Sequence, residues 1–126
     1  MRDGEEVRLT MPATPPLLRV ARLTAAGLAS RLGFDLNEVE DLKIAVDELC
    51  HAIVGPQGRD GSLTLVYRLH ADALVIEGVS DFPAVPAGTV TTELSSLILA
   101  AVVDEHEISH LDSTIRFRLT KRAKRP

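Results

Sequence analysis

Along this chain apolar residues recur with two different periods, and the places where one period gives way to the other mark out its elements. From Glu5 to Met11, Val7, Leu9 and Met11 alternate with polar neighbours, the pattern of a short strand buried on one face. Pro12, Pro15 and Pro16 break it. From Pro15 to Leu32 the apolar positions Leu18, Ala21, Ala25, Leu28 and Leu32 are spaced by three and four, which predicts an amphipathic helix with prolines in its first turn and Gly33 as its stop. A second line on roughly the opposite side, Val20, Leu23 and Gly27, is flanked by Arg19 and Arg22 and forms a candidate partner-binding face. The alternative is the ordinary scatter of exposed aliphatics.

Asp35 followed three residues later by Glu38 is a capping box. The stripe Leu36, Val39, Leu42, Val46, Leu49 and Ile53 then predicts a second helix that ends before Gly55-Pro56. After a glycine-rich loop, Ser62 to His70 and Ala73 to Ser80 form two β-rich runs separated by Ala71-Asp72, a hairpin pattern. Asp81 to Gly88 carries two prolines and reads as a loop. Thr92 to Val103 is apolar nearly all round, so this third helix is either deeply buried or partly covered by another molecule. His106 to Leu111 and Thr114 to Thr120 predict a closing hairpin around Asp112-Ser113.

The order is therefore β-α-α-β-β-α-β-β without an internal repeat. Hairpins in place of strict β and α alternation imply an α+β two-layer sandwich: a mostly antiparallel mixed sheet with helices on one face.

Composition narrows the class. With 126 residues, 45% of them hydrophobic, the chain fits one domain, taken as residues 1–120, with a basic tail over 121–126. The tail holds Lys121, Arg122, Lys124 and Arg125 and reads as a solvated terminus or, alternatively, as a contact for nucleic acid or an acidic partner; without it the net charge of −4 becomes −8. Four aromatics, no Trp and an acidic balance disfavour nucleic acid as a direct partner. Cys50 is the one cysteine and is expected to be a buried core thiol, no apolar run reaches the roughly 18 residues of a membrane span, and the N-terminus lacks a signal-peptide layout. A cytoplasmic protein is expected.

The candidate chemistry lies on the second helix, in Ala45-Val-Asp-Glu-Leu-Cys-His-Ala52. Glu48 stands between Ala45 and Ala52 on one side, at spacings of three and four, so small side chains flank a carboxylate. That arrangement suits a ligand, and it equally suits a helix lying close to a sheet. His106 and His110 are four apart in a segment read as strand and turn, where the spacing does not converge on a metal, so no metal site is expected there.

The stretch Leu18 to Ile53, above all Leu42-Lys-Ile-Ala-Val-Asp-Glu-Leu-Cys50, resembles the N-box helix of the GHKL superfamily, specifically its anti-sigma factors of the serine-kinase type. Leu74-Val-Ile-Glu-Gly-Val-Ser-Asp81 resembles the strand that delivers the family's nucleotide-binding aspartate, and Val103-Asp-Glu-His-Glu-Ile108 the segment following its ATP lid. The resemblance implies an ATP pocket with Glu48 as catalytic base and Asp81 on adenine. It also implies an alternative sigma factor as partner, an anti-anti-sigma protein of the STAS type as antagonist, and a homodimer.

Three departures from the family pattern stand out. Where the family carries a Mg²⁺-binding asparagine four residues after the glutamate, this chain has Ala52, whose methyl offers no oxygen to a hard cation. The box Asp-x-Gly-x-Gly reads Asp81-Phe-Pro-Ala-Val85, with Pro83 and Val85 at the glycine positions. The glycine-rich phosphate segment reads Thr91-Thr-Glu-Leu-Ser-Ser96, in which Glu93 repels a triphosphate. Losing metal and phosphate contacts removes most of what drives phosphoryl transfer. The expectation is an anti-sigma factor without kinase activity and without ATP or Mg²⁺ as cofactor. An active ATP-dependent serine kinase acting on its anti-anti-sigma partner is the alternative, and a metabolic or structural domain of the same fold a third.

Overall fold

The computed structural model describes residues 4–83, 93–111 and 114–124. Val85, the Thr91-Thr92 pair and the Asp112-Ser113 turn lie outside them. Strand β1 (Glu5–Pro12) leads into a 3-10 turn, Pro15–Leu17, and helix α1 (Leu18–Arg31), followed by α2 (Leu36–Val54), β2 (Ser62–Leu69), β3 (Ala73–Asp81), α3 (Glu93–Val102), β4 (Glu105–Leu111) and β5 (Thr114–Arg122). The prolines expected in the first turn of α1 form the tighter turn instead, since neither proline can donate a helical hydrogen bond.

The sheet order is β1-β2-β3-β5-β4, and all four pairings are antiparallel. The sandwich and its order are as the sequence predicts. The "mixed" character is corrected, because α3 and β4 return the chain in antiparallel sense. Residues opposite one another share a face, so Leu65, Gly78 and Phe117 form one row facing the helices. A Cβ at Gly78 would overlap the Phe117 ring, which explains a glycine in the middle of β3. The helix-facing rows, with Leu63, Tyr67, Ile76 and Leu119, join α1 and α2 in one core. Tyr67, fully buried, donates from its hydroxyl to the Ala21 carbonyl at 2.8 Å and ties the sheet to α1.

The opposite face carries ion pairs: Arg68 meets Glu6 at 3.6 Å and Glu77 at 2.9 Å, and Arg118 meets Glu107 at 3.2 Å. Such exposed pairs keep the sheet face polar and contribute little to stability.

Three expectations change. Leu36 does not join the buried stripe of α2 but is 74% exposed, since it opens the helix and its side chain leans back beyond the first turn. Of the two alternatives for α3, deep burial is removed: Ser95 and Leu99 are buried and Ile98 and Val102 half-buried, whereas Leu94 and Leu97 are 66% and 63% exposed. The basic tail begins later than residue 121, because β5 runs through Arg122 and the Lys121 side chain is buried. Moving these two cations into the sheet takes the charge of the body from −8 to −6.

Candidate functional site

Helix α2 carries the site, and its start is fixed by polar contacts. Asp35 Oδ1 accepts from the Glu38 amide at 2.7 Å, and Glu38 Oε1 accepts from the Asp35 amide at 2.8 Å, the reciprocal capping box. The other Glu38 oxygen accepts from the Lys124 amide at 2.6 Å, which pins the chain beyond β5 to the same point. Past this anchor three acids on α2 engage three different elements. Asp41 meets Lys121 of β5 at 3.4 Å, Asp47 meets Arg22 of α1 at 3.0 Å, and Glu48 accepts from Ser95 of α3 at 2.9 Å.

Glu48 is half-buried, between the fully buried Ala45 and the half-buried Ala52. Elsewhere on the helix Cys50 is fully enclosed, and burial, reinforced by the nearby Asp47 charge, pushes its thiol up to about 12. The buried Tyr67 hydroxyl is likewise raised, first by burial and then by Cys50, against a hydrogen bond with Thr24.

Asp81 ends β3 with an exposed side chain, and its carbonyl lies against Gly61, whose φ of +105° and lack of a Cβ allow the approach. Phe82 turns back into the core under the Arg59 guanidinium, 5.9 Å from the ring centroid. Arg59 Nε donates to the Ile53 carbonyl at 2.7 Å. This one arginine therefore joins the last turn of α2, next to Ala52, to the end of β3, next to Asp81. The C-terminal turn of α2 and the end of β3 are thereby held side by side.

Three features of these side chains bear on Mg-ATP. Ala52 supplies no oxygen, one Glu48 oxygen is engaged by Ser95, and Phe82-Pro83 replaces the flexible backbone of a glycine box with a buried ring and a fixed φ. The Ser95 contact is the feature the sequence reading missed, having met Ser95 only as part of the segment in the place of the phosphate loop. Its signal was the spacing Ser95, Leu99 and Val102, which puts the serine on the inward stripe of α3. His106 and His110 lie on β4, about 13 Å apart along the strand.

On α1, Arg19, Val20, Leu23 and Gly27 are exposed, and a Cβ at Gly27 would meet nothing within 4 Å. Arg22 departs from this face, because its guanidinium turns to Asp47 and joins α1 to α2.

No protein-family model matches the chain. It is 40% identical over 75 residues to serine-protein kinase RsbW of Bacillus pumilus (strain SAFR-032), a match covering 56% of this chain and 46% of that protein. Against serine-protein kinase RsbW of Bacillus cereus (strain B4264) it is 38% identical over 78 residues, covering 60% and 49%. The chain thus spans about half the length of the curated relatives it matches. Its fold matches a crystal structure of the RsbU and RsbW domains of Rv1364c from Mycobacterium tuberculosis with a TM-score of 0.72 at 18% identity, over 97% of this chain and 33% of that one. Within the stretch they share, the chain is homologous to the RsbW serine-protein kinases, and its fold is that of the matched RsbU and RsbW domain structure.

Proposed function

We propose that this chain is an anti-sigma factor that sequesters an alternative sigma factor of RNA polymerase, is counteracted by an anti-anti-sigma protein of the STAS type, and has no kinase activity. The observation that carries this reading is the chemistry around Glu48: the base is kept, while the position one turn further holds the Ala52 methyl and the carboxylate is engaged by Ser95. A domain that loses its metal ligand yet keeps its fold retains the surfaces with which it binds proteins. Binding of this kind needs neither ATP nor Mg²⁺.

The partner face is assigned to Arg19, Val20, Leu23 and Gly27 of α1, with Arg22 setting the α1–α2 angle. The acidic body favours encounter with the basic surfaces of a DNA-binding protein. The protein works in the cytoplasm as a homodimer, with β1 through β5 folded as one domain.

An active serine kinase is the second reading, favoured by the presence of both Glu48 and Asp81 and by the name of the relatives. Labelled ATP with Mg²⁺, the purified chain and the host's anti-anti-sigma proteins separate the two. No transfer of label, together with co-purification of a sigma factor from the native host, is expected. Micromolar ATP binding with phosphate transferred to an anti-anti-sigma protein overturns the proposal.

A further inference from the structure

Helix α3 is thinly attached to the rest of the molecule. Of its ten residues only Ser95 and Leu99 are buried, about one side chain per turn. Its C-terminal end is fastened by Lys121, whose Nζ donates to the Val102 carbonyl at 2.8 Å. Its N-terminal end is fastened by the Ser95 hydroxyl, itself 8% exposed, which donates to Glu48 Oε2 at 2.9 Å. Glu48 is the one carboxylate of the candidate pocket that lies on α2, and the group bound to it is the group a serine-directed base would meet in a substrate, supplied here from within the chain.

We propose that Ser95 is a specificity-determining residue of this site: by holding the first turn of α3 on α2 through Glu48 Oε2, it denies that oxygen to an external ligand such as the water shell of a nucleotide-bound divalent cation. The inference rests on the reading of the chain as lacking kinase activity and adds a second, separable cause to Ala52. A hydroxyl bonded to an ionised acceptor within a half-buried contact is worth roughly a tenfold or greater shift in the equilibrium between docked and undocked helix. An incoming ligand must overcome that factor before it reaches Glu48. The engagement also places Leu94 and Leu97 outward, since Ser95 and Leu99 fix which side of α3 faces α2.

Amide hydrogen exchange of the full chain reads the docking directly. Ser95→Ala should raise exchange across residues 97–102 roughly tenfold while leaving β2 and β3 unchanged. Alanine is the better helix former, so faster exchange in α3 reports lost docking and not a weaker helix. Unchanged exchange in α3 overturns the proposal. Mg-ATP binding is then compared between Ala52→Asn and the Ala52→Asn, Ser95→Ala double variant, with a fluorescent ATP analogue and Mg²⁺ as the probe. The double variant should bind at least tenfold tighter; equal affinity overturns the role of Ser95 in excluding ligand. Micromolar Mg-ATP binding by the unmodified chain would instead contradict the function proposed above, so the two failures are distinct. The exchange result stands even where Ala52→Asn does not fold.

Discussion

Lys121 Nζ donates to the carbonyl oxygen of Val102 at 2.8 Å, so a lysine of β5 closes the last turn of α3, the helix that supplies Ser95 to Glu48. The ammonium also faces Asp41 at 3.4 Å. A buried cation at a helix C-terminus is favourable because it meets carbonyls that have no partner within the helix. Lys121→Met keeps the stem and removes the charge, and it should lower stability by about 1–3 kcal/mol in urea unfolding. Lys124→Ala, whose side chain is exposed, should change it by less than about 0.5 kcal/mol. Equal effects of the two substitutions would show that Lys121 is part of a tail after all.

Glu38 makes a sharper contrast with its capping partner. Asp35→Ala removes one side of the capping box and should cost about 1 kcal/mol. Glu38→Ala removes the other side and also leaves the Lys124 amide without its acceptor, so the loss should be larger, about 2 kcal/mol, and should be accompanied by faster amide exchange at Ala123 and Lys124. Thermal unfolding and exchange read the two quantities separately.

The buried thiol gives a pH signature. Folding raises the Cys50 pKa from an ordinary 9.0 to about 12, so above pH 9 the unfolded chain gives up a proton that the folded chain keeps. Its contribution is therefore fully present below about pH 9 and is lost as pH rises from there toward 12, at a limiting slope of about 1.4 kcal/mol per pH unit. Between pH 8 and pH 10 the loss in urea-derived stability should be smaller in Cys50→Ala than in the native protein by about 1.4 kcal/mol. The native thiol should also resist alkylation at pH 8 until the chain unfolds.

On α1, Leu23 is 54% exposed and makes no demand on the core. Leu23→Glu should leave thermal stability within about 0.5 kcal/mol of the native value and reduce sigma-factor binding at least tenfold. Arg19→Ala should weaken it less. Arg22→Ala should instead lower stability, because it frees the half-buried Asp47 from its partner. If Leu23→Glu binds as the native chain does, the partner face lies elsewhere.

What could be read in the sequence were the features set by local rules. The capping box at Asp35 and Glu38, the hairpin around Ala71-Asp72 and the alternation of β2, β3 and β5 each follow from a spacing of two, three or four residues, and each stands in the structure. Positions settled by distant partners were hidden. Lys121 looked like part of a basic tail because its burial depends on α2 and on the end of α3, up to 80 residues away. Arg22 looked like part of an exposed face because Asp47 is 25 residues away. Glu48 and Asp81 were legible as candidates from a motif, whereas Ser95 was not assigned to the site, since its meaning arises only when α3 lies on α2. The apolar run of α3 exaggerated its burial, for composition records how apolar a helix is and not how much of it the fold has room to cover.

The most direct measurement of the account's central claim is size-exclusion chromatography of the purified chain mixed with each alternative sigma factor of its host, with and without labelled ATP and Mg²⁺. The account predicts a stable complex with one sigma factor that elutes identically in both conditions and carries no label. A complex that forms only with Mg-ATP, or the absence of any complex in either condition, would contradict it.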